Sequence, residues 1–401
     1  MAQTKQKLFL ATFVNYLAIF VTMPVLVPLC RTAFLSPGQT GLMVSVGSLS
    51  MMLGGPVWGK LSDRWGRKIV IVSGMLAVGI VYILYIALFG YAIAQGKFLI
   101  TAFVYLVLSR ILLGIFLPAM PAAGNALMAD LTDEASRTKG MALLGFAMGL
   151  AMVIGPAIGG LLSGAGSLFY PFYLTVALSL VIGLYLIHAL PSTPPSVAQH
   201  RDQVKKSPFF SFQLLSWLLL GCSSMLIMVM IQMLIPLLLH DVFHYSTIAS
   251  ASQSAILFFI MGLVLIGTQV LQMKRLNWQP VRLISLGALF MIVALPIIAI
   301  TANYWLLVAS FLFIGAGLAF GMTAMAAGCS LSVPKEHQGI VSGLVAMTQG
   351  ISGVVSPIVS TLLYEQNHSL PFFVFLGFTI CAFIVFLINQ ALQKRASVIQ
   401  S

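Results

Sequence analysis

An all-α integral membrane protein, with twelve spanning helices in two pseudo-symmetric six-helix halves, is the fold class that this sequence predicts. Three observations carry that expectation. Of the 401 residues, 60% are hydrophobic and 7% charged, and the mean hydropathy is +1.05; a water-soluble globule does not sustain such a composition. The apolar residues gather into long runs, each near the ~20 residues that cross a bilayer. A set of glycines, prolines and leucines also recurs in the second half of the chain at a nearly constant offset.

The first run, at about 8–30, follows Lys5 and Lys7 and contains Pro24 and Pro28. It is too long for a signal-peptide core and offers no convincing cleavage site, so it reads as an uncleaved first span. Runs at about 40–59, 69–93, 98–129, 139–164 and 168–190 complete six spans. A Pro-, Ser- and base-rich stretch at 191–211 reads as a linker, and further runs follow at about 212–239, 248–273, 280–301, 303–330, 338–364 and 370–392. The expected organisation is therefore an N-terminal bundle at 1–190, a cytoplasmic linker, a C-terminal bundle at 212–392 and a cytoplasmic tail at 393–401. Twelve spans put both ends on one side. If that side is the cytoplasm, Lys5, Lys7, Lys60, Arg64, Arg67, Lys68, Arg137, Lys139, Arg201, Lys205, Lys206, Lys274, Arg275, Arg282, Lys335, Lys394 and Arg395 fall inside, and Arg31 and Lys97 outside. That asymmetry follows the positive-inside rule and predicts a multi-pass protein of the inner or plasma membrane with both termini cytoplasmic.

The repeat supports two related halves. Gly114, Gly149, Pro156, Leu161 and Leu162 recur as Gly315, Gly350, Pro357, Leu362 and Leu363, and Pro28, Leu29 and Gly59 align with Pro236, Leu237 and Gly267. Duplicated halves place a substrate site near the bilayer midplane. The halves differ where Arg110 of the fourth span meets Phe311 as its repeat partner. An arginine inside a span costs at least ~2.5–3.5 kcal/mol on insertion scales and is tolerated where it faces water or a partner, or where it snorkels to the interface.

The net charge of +12 does not point to nucleic acid, because the bases lie between apolar runs as juxtamembrane anchors do. Cys30, Cys222, Cys329 and Cys381 lack metal or redox spacing and read as small core residues. No nucleotide loop, metal-protease helix or nucleophile elbow is present, so neither an enzyme nor a resident cofactor is expected. His240, Asp241 and His244 cluster at the end of the seventh span, where they read as a wet loop mouth or, if helical, a zinc pair.

Three local patterns are more specific. The loop after the second span reads Gly59-x-Leu61-x-Asp63-Arg64-x-Gly66-Arg67-Lys68, in which the glycines permit close approach and a sharp turn and the acid can face a helix N-terminus. In the fourth span, Arg110 is followed by Gly114, and in the fifth Gly145 and Gly149 lead to Gly155-Pro156-x2-Gly159-Gly160. These patterns resemble motifs A, B and C of the major facilitator superfamily, the last two typical of its twelve-span drug:proton antiporter branch. The resemblance in organisation covers the whole chain, and its specific part covers spans two to five.

The resemblance implies a secondary active transporter that exports small amphipathic compounds by alternating access against protons, acting as a monomer in the lipid bilayer. It also implies that Gly59, Asp63, Arg64, Gly66 and Arg67 form a cytoplasmic latch with Asp130 as ion partner, Asp63 facing the start of the eleventh span near Gln338 and Gly339. Asn15, Tyr16, Arg110, Gln232 and Gln349 are the polar groups expected to meet substrate. One departure stands out: all eight acids fall at span ends or loops, and the first span offers only Asn15, Tyr16 and Thr22. A neutral or positive cavity favours neutral or anionic amphiphiles. A dedicated exporter of an anionic metabolite such as a polycarboxylate siderophore, or a sugar or organic-acid importer, remains the alternative.

Overall fold

The computed structural model describes residues 2–191, 212–275, 278–333 and 338–399. The linker expected at 191–211, with Arg201, Lys205 and Lys206, lies outside the described residues apart from Pro191, as do Lys335 and His337. The helices run in the order α1 (Ala2–Thr32), α2 (Pro37–Trp65), α3 (Arg67–Ala94), α4 (Ile100–Phe116), α5 (Ala119–Asp130), α6 (Glu134–Gly164), α7 (Tyr170–Ala189), α8 (Phe212–Asp241), α9 (Thr247–Arg275), α10 (Pro280–Ile300), α11 (Tyr304–Leu331), α12 (Gln338–Gln366) and α13 (Leu370–Ile399). Twelve stretches among the described residues are long and apolar enough to cross a membrane, α4 and α5 together forming one of them. The residues expected as a tail from 393 continue α13 as far as Ile399.

Helix ends follow local chemistry. Ser36 and Gln39 cap α2 reciprocally, the Gln39 amide donating to Ser36 Oγ at 3.3 Å and the Ser36 amide to Gln39 Oε1 at 2.9 Å, with Pro37 preset for the first turn. Asp133 caps α6 by accepting from the Ser136 amide at 2.9 Å. At the last turn of α7 the Ala189 carbonyl accepts from Lys7 Nζ of α1 at 2.8 Å. Between α2 and α3 the chain turns through a single residue, Gly66, at φ 91°, where a side chain would be strained.

The chain forms two compact units: Met1–Val204 with Ile235–Phe259, and Lys205–Leu234 with Ile260–Ser401. In the first, α1 packs along α6, α2 along α4 and α3 along α7. Lipid tails are as apolar as leucine, so these pairs gain little from hydrophobic burial and depend on close backbone approach. A β-carbon at Gly114 of α4 would lie 2.2 Å from the Gly47 carbonyl oxygen of α2, and one at Gly74 of α3 would lie 2.6 Å from Ala119 Cβ of α5. Leu8, Trp58, Val70, Ile71, Met75, Met120 and Leu127 belong to one buried cluster of this unit near the α2–α3 turn.

In the second unit, α10 packs on α11 and α13, and α8 on α11. Trp217 of α8 lies over Gly328 of α11, where a β-carbon would come within 2.3 Å of the indole, and meets Phe386 edge-on at 4.8 Å. Asn389 Nδ2 of α13 donates to Ser216 Oγ of α8 at 2.9 Å. A β-carbon at Gly315 of α11 would lie 2.7 Å from the Met261 carbonyl oxygen of α9. That matches the contact of Gly114 with α2, so the repeated glycine does the same packing in both halves.

Candidate functional site

The fourth span is broken. α4 ends at Phe116 and α5 begins at Ala119, because Pro118 has no N–H for the Gly114 carbonyl and Pro121 none for the Leu117 carbonyl. Freed carbonyls inside a membrane need other donors. Asn15 Nδ2 of α1 donates to the Leu117 carbonyl at 3.4 Å, and Trp58 Nε1 of α2 donates to the Ile115 carbonyl at 2.6 Å. Both side chains are buried. The sequence suggested one continuous span over 98–129; the break was signalled by two prolines three positions apart. It also gives Asn15, expected to meet substrate, a bond to the backbone of the break.

On the α4 side of the break, the half-buried Arg110 threads past Gly47 of α2. A β-carbon at residue 47 would sit 2.6 Å from Arg110 Cγ and 3.2 Å from Nε. Tyr82 and Tyr85 of α3 and Cys30 of α1, all fully buried, lie within the field of its charge. Tyr85 in turn donates to Met43 Sδ at 3.8 Å, and Tyr82 donates to the Ala18 carbonyl at 3.2 Å. Among the described residues no carboxylate pairs with Arg110. Its surroundings there are neutral, and no acid among the described residues compensates its charge. Sequence reasoning missed Tyr82 and Tyr85, the buried tyrosines near it on a different span; a tyrosine inside an apolar run was the only signal.

On the α5 side stands a second polar centre. Arg67, 8% exposed at the first position of α3, donates through Nη1 to Asp63 and, at 2.6 Å, to Ser62 Oγ, both on α2. Its Nε donates to Asp130 Oδ2 of α5 at 3.2 Å. One guanidinium therefore ties the ends of α2, α3 and α5 together around the Gly66 turn. Arg64 is exposed beside it. Gly59, read as a close-approach position, has nothing within 4 Å of where its β-carbon would be. Close approach in α2 is made instead by Gly54, whose β-carbon would meet the Ile115 carbonyl oxygen at 3.1 Å. The Gln338 and Gly339 side chains, expected opposite Asp63, lie outside the described residues.

The glycines of α6 divide into two groups. A β-carbon at Gly155 would lie 2.6 Å from Phe20 Cβ, and one at Gly159 would lie 2.1 Å from the Val21 carbonyl oxygen, both on α1. One at Gly160 would lie 2.3 Å from Ala255 Cβ of α9, and Ser252 Oγ of α9 donates to the Gly160 carbonyl at 3.3 Å. Gly145 and Gly149 face open space, and Pro156 is accommodated without ending the helix. In the second unit the repeat partner of Gly155 is Ser356, wholly buried on α12, which donates to the Leu226 carbonyl of α8 at 2.7 Å. Where one half packs through glycine, the other packs through a hydroxyl.

Of the other expected substrate groups, Tyr16 is half-buried against Leu17, Val21 and Ala151. Gln232 on α8 is 7% exposed and Gln349 on α12 is exposed. Arg110, Asn15 and Tyr16 thus belong to the first unit and the two glutamines to the second. At the far end of α1, Arg31 forms a bidentate ion pair with Asp241 at the end of α8, with contacts of 2.7 and 3.0 Å. His240 Nδ1 lies 3.1 Å from the same carboxylate. No group of three or more His, Cys, Asp or Glu side chains placed to hold a metal ion occurs among the described residues, and His244 lies beyond the end of α8.

Comparison with known proteins places this geometry. The family profile of the Major Facilitator Superfamily matches residues 8–357 and 273–398. Among curated relatives, Multidrug resistance protein 1 of Bacillus subtilis is 26% identical, covering 90% of each chain. Tetracycline resistance protein class C of Escherichia coli is 25% identical, over 88% of this chain and 87% of the relative. Quinolone resistance protein NorA of Staphylococcus aureus is 23% identical, over 97% and 96%. Among solved structures, a bacterial homolog of the human lysosomal transporter Spinster, in an inward-facing and occupied conformation, superposes with TM-score 0.77 at 14% identity over 96% of each chain. A nucleoside transporter superposes with TM-score 0.74 at 15% identity, over 96% and 99%. With twelve membrane-crossing helices, paired halves and a profile match across nearly its whole length, the chain belongs to the Major Facilitator Superfamily of membrane transporters.

Proposed function

We propose that this transporter exports small amphipathic compounds, driven by inward proton movement, with both termini in the cytoplasm. The observation that carries the reading is the backbone-close contact of Gly155 and Gly159 with α1, the span-five pattern that singles out exporters within the superfamily. The relatives named for multidrug, tetracycline and quinolone resistance support it. Transport by alternating access uses the Arg67 centre as its latch, since breaking three helix ends apart at one guanidinium is a discrete step.

Arg110 is the anchor for a substrate's acidic or carbonyl group, because no carboxylate among the described residues pairs with its charge. Tyr16, Gln232 and Gln349 add polar contacts, while Asn15 acts on the break in the fourth span. Every acid among the described residues lies at or near a helix end, which leaves Asp63, Asp241 and the histidines as the groups to carry the proton. Everted membrane vesicles decide the function: accumulation of tetracycline or a fluoroquinolone that requires an imposed proton gradient and collapses with a protonophore is expected. Uptake that ignores the gradient overturns the antiport. Accumulation confined to polycarboxylate anions would favour the anionic-metabolite exporter, for which the same unpaired Arg110 speaks.

A further inference from the structure

We propose that Trp58 and Asn15 are positioning residues for the Arg67 latch: they hold the break in the fourth span, which acts as a hinge for α5, at the angle that brings Asp130 to Arg67. The inference rests on the reading of the Arg67 centre as the latch and adds the joint that moves it. With Pro118 and Pro121 in place, the Gly114 and Leu117 carbonyls have no chain donor, so a change of angle here breaks no helical bond at those two positions. An unbroken span would resist the same bend along its whole ladder.

The joint is held instead by side chains of other helices. Trp58 Nε1 donates to the Ile115 carbonyl at 2.6 Å and Asn15 Nδ2 to the Leu117 carbonyl at 3.4 Å. Gly54, Trp58 and Ser62 stand on successive turns of one face of α2. A β-carbon at Gly54 would lie 3.1 Å from the Ile115 carbonyl oxygen and 3.2 Å from Pro118 Cγ, while Ser62 Oγ accepts from Arg67 at 2.6 Å. One face of α2 therefore runs from the break at the start of α5 to the latch at its end. From α3, Gly74 meets Ala119 at the start of α5 with no side chain to interlock. The helix α5 has 12 residues; at about 18 Å long, it carries its far end about 3 Å for a tilt of about 10° at the joint. That takes Asp130 Oδ2 out of hydrogen-bond reach of Arg67 Nε, from which it stands 3.2 Å away. Break and latch thus let go together, as one two-state element.

The test reads the angle in purified full-length protein. In a Cys222→Ser, Cys381→Ser background, which removes the two thiols that are not buried, spin labels are placed on Trp65→Cys at the end of α2 and Asn125→Cys on α5, both exposed positions. Distance distributions, and kcat and KM for tetracycline transport in vesicles, are compared for this parent, Trp58→Phe, Asp130→Asn, the double variant and Pro121→Ala. Trp58→Phe keeps a ring beside Phe116 and removes the donor. It is expected to raise the fraction at a second distance roughly two- to tenfold, the worth of one net hydrogen bond, and to change kcat at unchanged KM. Asp130→Asn should populate the same second distance, and the double variant should enrich it without creating a third. Pro121→Ala, which returns a chain N–H to the Leu117 carbonyl, should keep one distance and slow turnover.

The inference is overturned if Trp58→Phe keeps the parent distances while Asp130→Asn changes them, which leaves the latch and removes the hinge, or if the two variants give different distances. A lower melting temperature of Trp58→Phe with unaltered distances marks a packing residue and counts the same way. Asp130→Asn with the distances and turnover of the parent removes the latch reading itself, and the inference with it. The distances need no substrate, so they decide even where tetracycline is not carried. Should Trp58→Phe fail to insert, Asn15→Leu, which removes the other donor, decides by the same readings.

Discussion

Replacing Gly159 with alanine adds one methyl group at a point where no side chain can yield. Its β-carbon would lie 2.1 Å from the Val21 carbonyl oxygen and 3.1 Å from the Val21 carbonyl carbon. Ordinary C···O contacts are about 3.3–3.6 Å, so α1 and α6 must part locally by more than about 1 Å. The obstacle is backbone inside a helix, and the neighbouring contact of Gly155 with Phe20 opens with it. Overpacking of this kind costs about 1–3 kcal/mol, and a rigid obstacle puts this site at the upper end. Gly149 supplies the control on the same helix: nothing lies within 4 Å of its β-carbon position, and alanine there should stabilise the helix by up to ~1 kcal/mol. Thermal unfolding of the purified variants, read with proton-driven vesicle transport, checks both. Gly159→Ala should melt several degrees lower and transport poorly, and Gly149→Ala should match or exceed wild type. Equal melting of the two variants would refute the assignment of the α1 contact to Gly159.

Three further outcomes are expected. Asn15→Leu leaves the Leu117 carbonyl without a donor and should cost about 1–3 kcal/mol of stability, while Asn15→Gln, which keeps the donor, should recover part of it; equal loss in both would detach the effect from the hydrogen bond. Asp241→Asn should lose about 1 kcal/mol, the charge-assisted pair being discounted because the Arg31 side chain is 39% exposed, and the double exchange Arg31→Asp with Asp241→Arg should restore it, unless the pair contributes nothing to folding. The Asp133 carboxyl is held below its usual range by the Ser136 hydroxyl and then by the Ser136 amide. Its capping of α6 should therefore persist at pH values where ordinary aspartates protonate and fade only as pH falls through the lowered value. Hydrogen exchange at the start of α6 as a function of pH measures this, and loss of protection at the ordinary aspartate pH would contradict it.

The spans were legible in the sequence because each is set by its own hydropathy, a local property. The Gly66 turn and the tight glycines of α6 were legible for a similar reason, since a glycine flanked by long apolar runs has few other uses. What could not be read is which side chain meets which across helices. The passage of the Arg110 stem past Gly47 was hidden because the two lie on different spans, and a missing β-carbon leaves no complementary pattern. Gly59 and Gly54 look alike in sequence, yet only Gly54 faces a neighbour, since the helical phase of α2 against α4 is fixed by tertiary packing. The bond of Asn15 to the fourth span could not be read either, because the carbonyl it meets is freed by prolines on another helix.

The ion pair of Arg31 and Asp241 bears on how far the first unit reaches along the chain. Ile235–Phe259 counts with Met1–Val204 in that unit, although Lys205–Leu234 between them counts in the second. The pair, together with the bond from Ser252 to the Gly160 carbonyl, ties this returning stretch to α1 and α6. A division of the chain at the linker would therefore take from Arg31 and from the Gly160 carbonyl the partners that they have here, so the packed unit and the sequence half are not the same object.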